Sequence, residues 1–161
     1  MSGTPSFKEI TTFVFDMDGV LTDGTLILLP NQMPVRTMHI KDGYALQLAI
    51  KKGYRIMVIS GSVSEPGVER LNKLGIESVL MNVQDKRKLL QDLIKQNSLQ
   101  SNEVLYMGDD MPDYAAMMVC GLPCSPADAV DEIKSISSYI SPYAGGKGCV
   151  RDVLEKVMKA R

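Results

Sequence analysis

Asp16 and Asp18 stand one residue apart in FVFDMDGVLTDG (13–24), directly after an apolar run. Carboxylates crowded at the end of a strand are costly unless a cation sits between them. Three further polar features fall at comparable places. Ser60 closes the second apolar run, inside VISGS, with Gly61 next to it. Lys86 opens the helical stretch after the third run, and Asp109, Asp110 and Asp113 follow the fourth, in MGDDMPD. Facing carboxylates do not all ionise without a cation, and oxygen-only ligands suit a hard ion such as magnesium. A lysine and a serine hydroxyl beside that ion would hold the other oxygens of a phosphate. One carboxylate could then attack phosphorus to give an aspartyl-phosphate. A second carboxyl could protonate the leaving oxygen and later deprotonate the attacking water. Alternate residues of an extended strand share a side, so the D-x-D spacing would let Asp16 and Asp18 flank one phosphorus atom.

Each feature has a plainer reading by itself. A D-x-D after an apolar strand is commonly a turn or a helix cap, GDDMPD a capping acidic turn, and Lys86 a solvated helix lysine. The order of the four, each at a strand end, is what points to chemistry.

The elements that would position them alternate. TTFVFD (11–16), YRIMVIS (54–60), SVLM (78–81) and EVLYMG (103–108) read as buried strands, with GLPCS (121–125) a candidate fifth. Between them, residues 43–52, 64–74 and 86–96 carry helical spacing. Gly53 and Gly75 stand just past the first two, and Asp85 is placed to cap the third. Residues 148–160 put Val150, Val153, Leu154 and Val157 on one stripe. Strands spaced by helices predict an α/β fold: a parallel sheet sandwiched by helices, with ligands beyond the carboxyl ends of its strands. Residues 25–40 break the rhythm. TLILL and VRTMHI flank PNQMP and predict a β-hairpin with Asn31 near its tip.

With 161 residues and no linker or repeat, the chain is expected to form a single domain over 1–161. A formal net charge of −1 leaves no electrostatic footprint for nucleic acid or an anionic membrane, so any bound anion must be held locally. MSGTPSFKEI lacks the apolar core of a secretory signal, and no apolar run approaches the length of a membrane span. The expected compartment is the cytoplasm, where Cys120, Cys124 and Cys149 would be reduced structural thiols; metal or disulfide use is the alternative.

The joint pattern resembles the haloacid dehalogenase-like (HAD) phosphatases across nearly the whole chain: DMDGV, Ser60, Lys86 and GDDMPD match the four motifs in order. The resemblance implies Asp16 as nucleophile and Asp18 as general acid/base. It implies magnesium bound by Asp16, the backbone carbonyl of Asp18 and Asp109, with Asp110 and Asp113 supporting the metal shell. Ser60, Gly61 and Lys86 would grip the phosphate. About two dozen residues join Ser60 to Lys86, and only the hairpin follows the first motif, so no cap domain is expected. DMDGVLTDGTL, IKDGYALQLA, the QDK of 84–86 and GGKGCVRDV are similar to the capless subfamily that includes 3-deoxy-D-manno-octulosonate 8-phosphate (KDO 8-phosphate) phosphatase. That likeness implies hydrolysis of a sugar-acid phosphate. It also implies a homotetramer whose hairpins form a shared barrel, with a neighbouring subunit closing each site.

Departures bear on the substrate. Where many members carry an arginine after the glycine of the second motif, this chain has Ser62, whose other reading is a cap of the next helix with Glu65 three residues on. His39 stands where relatives often have asparagine. Lys147 and Arg151 are candidate contacts for a sugar-acid carboxylate, or else a solvated helix face. A nine-carbon keto-acid 9-phosphate of the sialic-acid type is the alternative substrate. Two other readings are a phosphatase for a macromolecular phosphate and a phospho-accepting signalling module; the pairing of Asp16 and Asp18, together with the late GDDMPD cluster, argues against the signalling module.

Overall fold

A computed structural model describes residues 6–161. Six parallel strands, β1 (Thr12–Phe15), β2 (Arg55–Ile59), β3 (Ser78–Leu80), β4 (Val104–Met107), β5 (Leu122–Ser125) and β6 (Tyr139–Ile140), pair in the order β3-β2-β1-β4-β5-β6. Phe15 aligns with Val58 on one side and Met107 on the other, so β1 lies in the middle with its end level with its neighbours. The strand order reverses beside β1, and loops leaving strands on either side of such a point diverge to open a crevice.

Alternation along the strands feeds two apolar layers. Phe13, Phe15, Ile56, Val58, Leu105 and Met107 pack with residues of α1 (Ile40–Lys51), α2 (Glu65–Lys73) and α6 (Cys149–Lys159). Val14, Met57, Ile59 and Tyr106 pack with α3 (Lys86–Gln96), α4 (Tyr114–Met117) and α5 (Asp131–Ile136). All four residues of β1 and all four of β4 are buried. This is the sandwich that the apolar runs predict for strands covered on both faces. No inserted cap domain occurs among the described residues: the stretch from β2 to α3 holds α2 and β3 alone.

Three local expectations are corrected. The helix expected from residue 43 begins at Ile40, because His39 Nδ1 accepts the Lys41 N–H at 3.1 Å and caps it. The cap of α2 is Ser64, whose Oγ accepts the Gly67 N–H at 3.1 Å; Ser62 is engaged elsewhere. The hairpin over 25–40 is reduced to one antiparallel bridge, Ile27 with Val35, closed by hydrogen bonds of 3.0 and 2.9 Å. Asn31 sits at its turn with φ +55°. The reversal has no sheet of its own to lie on. Leu26, Ile27, Leu28, Leu29 and Met33 are exposed, Leu28 by 74%.

Candidate active site

The loops that leave β1, β2 and β4, together with the start of α3, bring the predicted residues to one edge. Asp16 continues β1, its N–H donating to the Met107 carbonyl at 3.1 Å. Residues 17–21 then coil once, closed by the Thr22 N–H on the Met17 carbonyl at 3.0 Å. Gly19 turns this coil at φ +87°, and a Cβ there would collide with the Asp109 carboxylate. No other residue combines that backbone angle with that approach. Gly145, from the GGKG segment, lies so close to the Gly19 carbonyl that it too admits no Cβ. The Gly146 N–H donates to Val20 at 2.9 Å. GGKG therefore bends the chain into α6 and also clamps the loop that carries Asp16 and Asp18.

Lys86 is the buried cation of the cluster. Its Nζ lies 3.0 Å from Asp16 Oδ1 and 2.8 Å from Asp113 Oδ1, with the lysine side chain 5% exposed and that of Asp113 1%. The other Asp113 oxygen accepts the Asp109 N–H at 3.1 Å. Carboxylate oxygens of Asp16, Asp109 and Asp113 lie within 4.8 Å of one another. Two of these three carboxylates contact the one ammonium, and the third, Asp109, lies beside them. Burial, then Asp113, pushes Asp16 up to about 9 against the pull of Lys86. Burial also pushes Asp109 up to about 6. Burial by itself would lower Lys86, but Asp113 and Asp16 outweigh it and hold the ammonium above its usual range. An all-oxygen donor set whose ionised form is short of positive charge fits a hard divalent cation such as magnesium.

These groups line a cavity of about 350 Å³ with Asp18, Ser60, Gly61 and Ser62. A groove of about 570 Å³ along α2, by Val68 and Met81, is larger and lacks any such convergence of acids. Asp18 lies outside the three-acid group. Its Oδ2 accepts from Ser62 Oγ at 2.9 Å, and Ser62 Oγ is 2.9 Å from Ser60 Oγ. Asp110 is exposed at the rim, where its carboxylate accepts the Met111 N–H at 2.7 Å and starts the turn of 111–113.

Three expected contacts lie elsewhere in the chain. His39 caps α1, Arg151 pairs with Glu155 at 2.8 Å and faces the Tyr44 ring, and Lys147 is exposed near Asp23. None of them lines the cavity.

Two residues that the sequence reading did not single out belong to the site. Tyr106, fully buried in β4, donates its hydroxyl to Asp113 Oδ1 at 2.8 Å. Arg36, the one Lys or Arg within residues 25–40, forks onto Asp18 with Nε at 2.7 Å and Nη2 at 3.2 Å. A lone arginine in a reversal with no acidic residue was the available signal.

The family described as haloacid dehalogenase-like hydrolase matches residues 75–153. The 3-deoxy-D-manno-octulosonate 8-phosphate phosphatase KdsC of Haemophilus influenzae is 29% identical over 154 residues, which is 96% of this chain and 86% of that protein. The Escherichia coli K12 protein of the same name is 28% identical, with 82% of its length covered. The crystal structure of 3-deoxy-D-manno-octulosonate 8-phosphate phosphatase from Moraxella catarrhalis, in complex with magnesium ion, phosphate ion and KDO, superposes with a TM-score of 0.93. It is 31% identical, and the match covers 96% of this chain and 89% of that one.

Proposed function

The chain belongs to the haloacid dehalogenase-like hydrolases, in the branch of the 3-deoxy-D-manno-octulosonate 8-phosphate phosphatases, and on that premise we propose that it hydrolyses KDO 8-phosphate to KDO and phosphate with magnesium as cofactor. The observation that carries this reading is the convergence of Asp16, Asp109 and Asp113 at the carboxyl edge of the sheet, with one buried lysine pairing Asp16 and Asp113.

In this reading Asp16 is the nucleophile. Its carboxylate oxygen bonds to phosphorus as the bond from phosphorus to the sugar oxygen breaks, and Asp18 gives its proton to that oxygen. Asp18 then takes a proton from water as the water oxygen attacks phosphorus and Asp16 departs. Ser60, Gly61 and Lys86 hold the phosphate oxygens, and Lys86 offsets their charge. Asp16, the Asp18 carbonyl and Asp109 would hold the magnesium, with Asp110 and Asp113 behind them. Bound there, magnesium would draw charge from the phosphoryl group.

The exposed apolar reversal of residues 25–39 supports assembly into a homotetramer, because a two-stranded hairpin is marginal until another sheet covers it. Any substrate contact by Lys147 or Arg151 would then be made in a neighbouring subunit's site. The chain is taken as one domain. A cytoplasmic setting is supported by its three free thiols; no helix among the described residues is long and apolar enough to cross a membrane.

The test is phosphate release from KDO 8-phosphate, with a nine-carbon keto-acid 9-phosphate alongside, for the wild type and Asp16→Asn. Turnover should require magnesium, stop reversibly with EDTA, and fall at least about 1,000-fold in the variant. Undiminished activity of folded Asp16→Asn would refute the assignment.

A further inference from the structure

Both oxygens of Asp18 are occupied. Oδ1 accepts from Arg36 Nε at 2.7 Å and from Thr22 Oγ1 at 3.4 Å. Oδ2 accepts from Arg36 Nη2 at 3.2 Å and from Ser62 Oγ at 2.9 Å. In this arrangement the carboxyl has its donors from the hairpin and the Ser62 loop, and neither oxygen is free to face a leaving group. Arg36 is the more deeply set partner: its side chain is 9% exposed, against 33% for Asp18. Its third nitrogen, Nη1, is buried and has no hydrogen-bond partner. A buried guanidinium N–H without an acceptor is costly, and protein interiors rarely leave one so.

The surroundings point to what would satisfy it. Asp18 lines the cavity that holds Ser60 and Lys86. Arg36 lines a second cavity of about 320 Å³, between the hairpin and the start of α2, with Met33, Ser64 and Gly67. The ion pair therefore joins the two spaces. A phosphate ester seated in the first cavity has its leaving half beside this pair. Nη1 is sealed while the pair is closed, so a carboxylate on that half would reach it by displacing Asp18 from the fork, since a guanidinium presents its paired donors to one carboxylate at a time.

We propose that Arg36 is a positioning residue through which an anionic group on the leaving half of the substrate controls Asp18. The substrate's anion exchanges with Asp18 on the guanidinium, and the freed Asp18 carboxylate takes up a solvent proton and turns to the leaving oxygen, to which it passes that proton. This rests on the role given to Asp18 above. An ester without the anion still docks its phosphate but leaves Asp18 engaged. Selectivity then resides in kcat and not in KM alone.

The test compares three esters: an eight-carbon keto-acid phosphate, the same phosphate with its carboxylate converted to a carboxamide, and p-nitrophenyl phosphate, whose leaving group needs no proton. For the wild type, kcat on the carboxamide should fall at least about 10-fold below that on the acid, within the range of general-acid catalysis. In Arg36→Met that ratio should collapse to about 1, whatever the change in absolute rate. A carboxamide that raises KM while kcat holds would overturn the proposal. So would an Arg36→Met enzyme that keeps the discrimination, as expected if a second copy of the chain is what satisfies Nη1. The wild-type comparison decides the matter even if the variant does not fold. Failure of the underlying phosphatase reading is distinct, because the wild type would then hydrolyse none of the three.

Discussion

Tyr106 and Lys86 meet on a single atom: each donates to Asp113 Oδ1, both at 2.8 Å. Through that oxygen the middle of β4 is tied to the first residue of α3, and the second Asp113 oxygen ties in the Asp109 backbone. Removing the shared acceptor leaves the buried Tyr106 hydroxyl without its partner and Lys86 with Asp16 alone. Asp113→Ala is expected to cost about 3–5 kcal/mol, the range for breaking a buried ion pair, and to abolish activity. Tyr106→Phe removes one donor and leaves the pair, so its cost should be about 1–2 kcal/mol. Urea denaturation of both variants checks the order.

The acidic cluster sets a pH dependence with a definite sign. Asp16 and Asp109 titrate near 3.8 when unfolded, but burial pushes them up to about 9 and about 6 in the fold. The folded chain therefore keeps protons that the unfolded chain has released. Through these groups stability is greatest below about pH 4, and it declines as pH rises through 6 toward 9. Lys86, held above its usual range, keeps its contribution throughout that window. In EDTA, Tm should fall from about pH 5 to about pH 9. Added magnesium should flatten the fall by favouring the ionised carboxylates, and so should Asp16→Asn. Melting curves with identical slopes in all three conditions would contradict the shared-cation account.

Ser62 and Ser64 should separate cleanly. Ser64→Ala deletes the cap of α2 and should cost about 1 kcal/mol while leaving kcat little changed. Ser62→Ala should stay within about 0.5 kcal/mol of wild type, as a half-exposed hydroxyl, but alter kcat because it removes one of the two donors on Asp18 Oδ2. Chemical denaturation together with steady-state rates gives both readouts.

The bare apolar reversal predicts assembly. Leu28→Asp places a charge on the most exposed apolar side chain of that segment. It should dissociate the assembly while the protomer stays folded, since Leu28 contributes nothing to either apolar layer. Light scattering coupled to size exclusion checks this; a wild type already monomeric at micromolar concentration would remove the premise.

Much of this arrangement was readable from residue order. Asp16, Ser60 and Asp109 each follow a buried run long enough to identify, Lys86 opens the helix after a shorter apolar one, and a parallel sheet leaves such ends on one edge. The elements that escaped notice are short. α4 has four residues, α5 six and β6 two, too few to display a period. Choosing Ser64 over Ser62 as the cap depends on where α2 starts, which two serines of equal propensity do not reveal. Arg36 and Tyr106 act across 18 and 7 residues of sequence, through contacts that only the folded chain creates. The hairpin was legible as a reversal but not as a single bridge, because alternation does not tell how many pairs survive without a covering layer.

The central place of β1 has a consequence for biosynthesis. Its hydrogen-bonded neighbours lie some forty and ninety residues further along the polypeptide, and Gly145 must still arrive to brace the coil at Gly19. Pairing between segments so far apart is slow, and a ribosome delivers only about 5–20 residues each second. An emerging chain thus exposes Asp16 for seconds before Lys86, Asp109 and the clamp exist to make it reactive. Products that end before Asp109 would lack part of the acidic cluster and would be chemically silent toward phosphate esters.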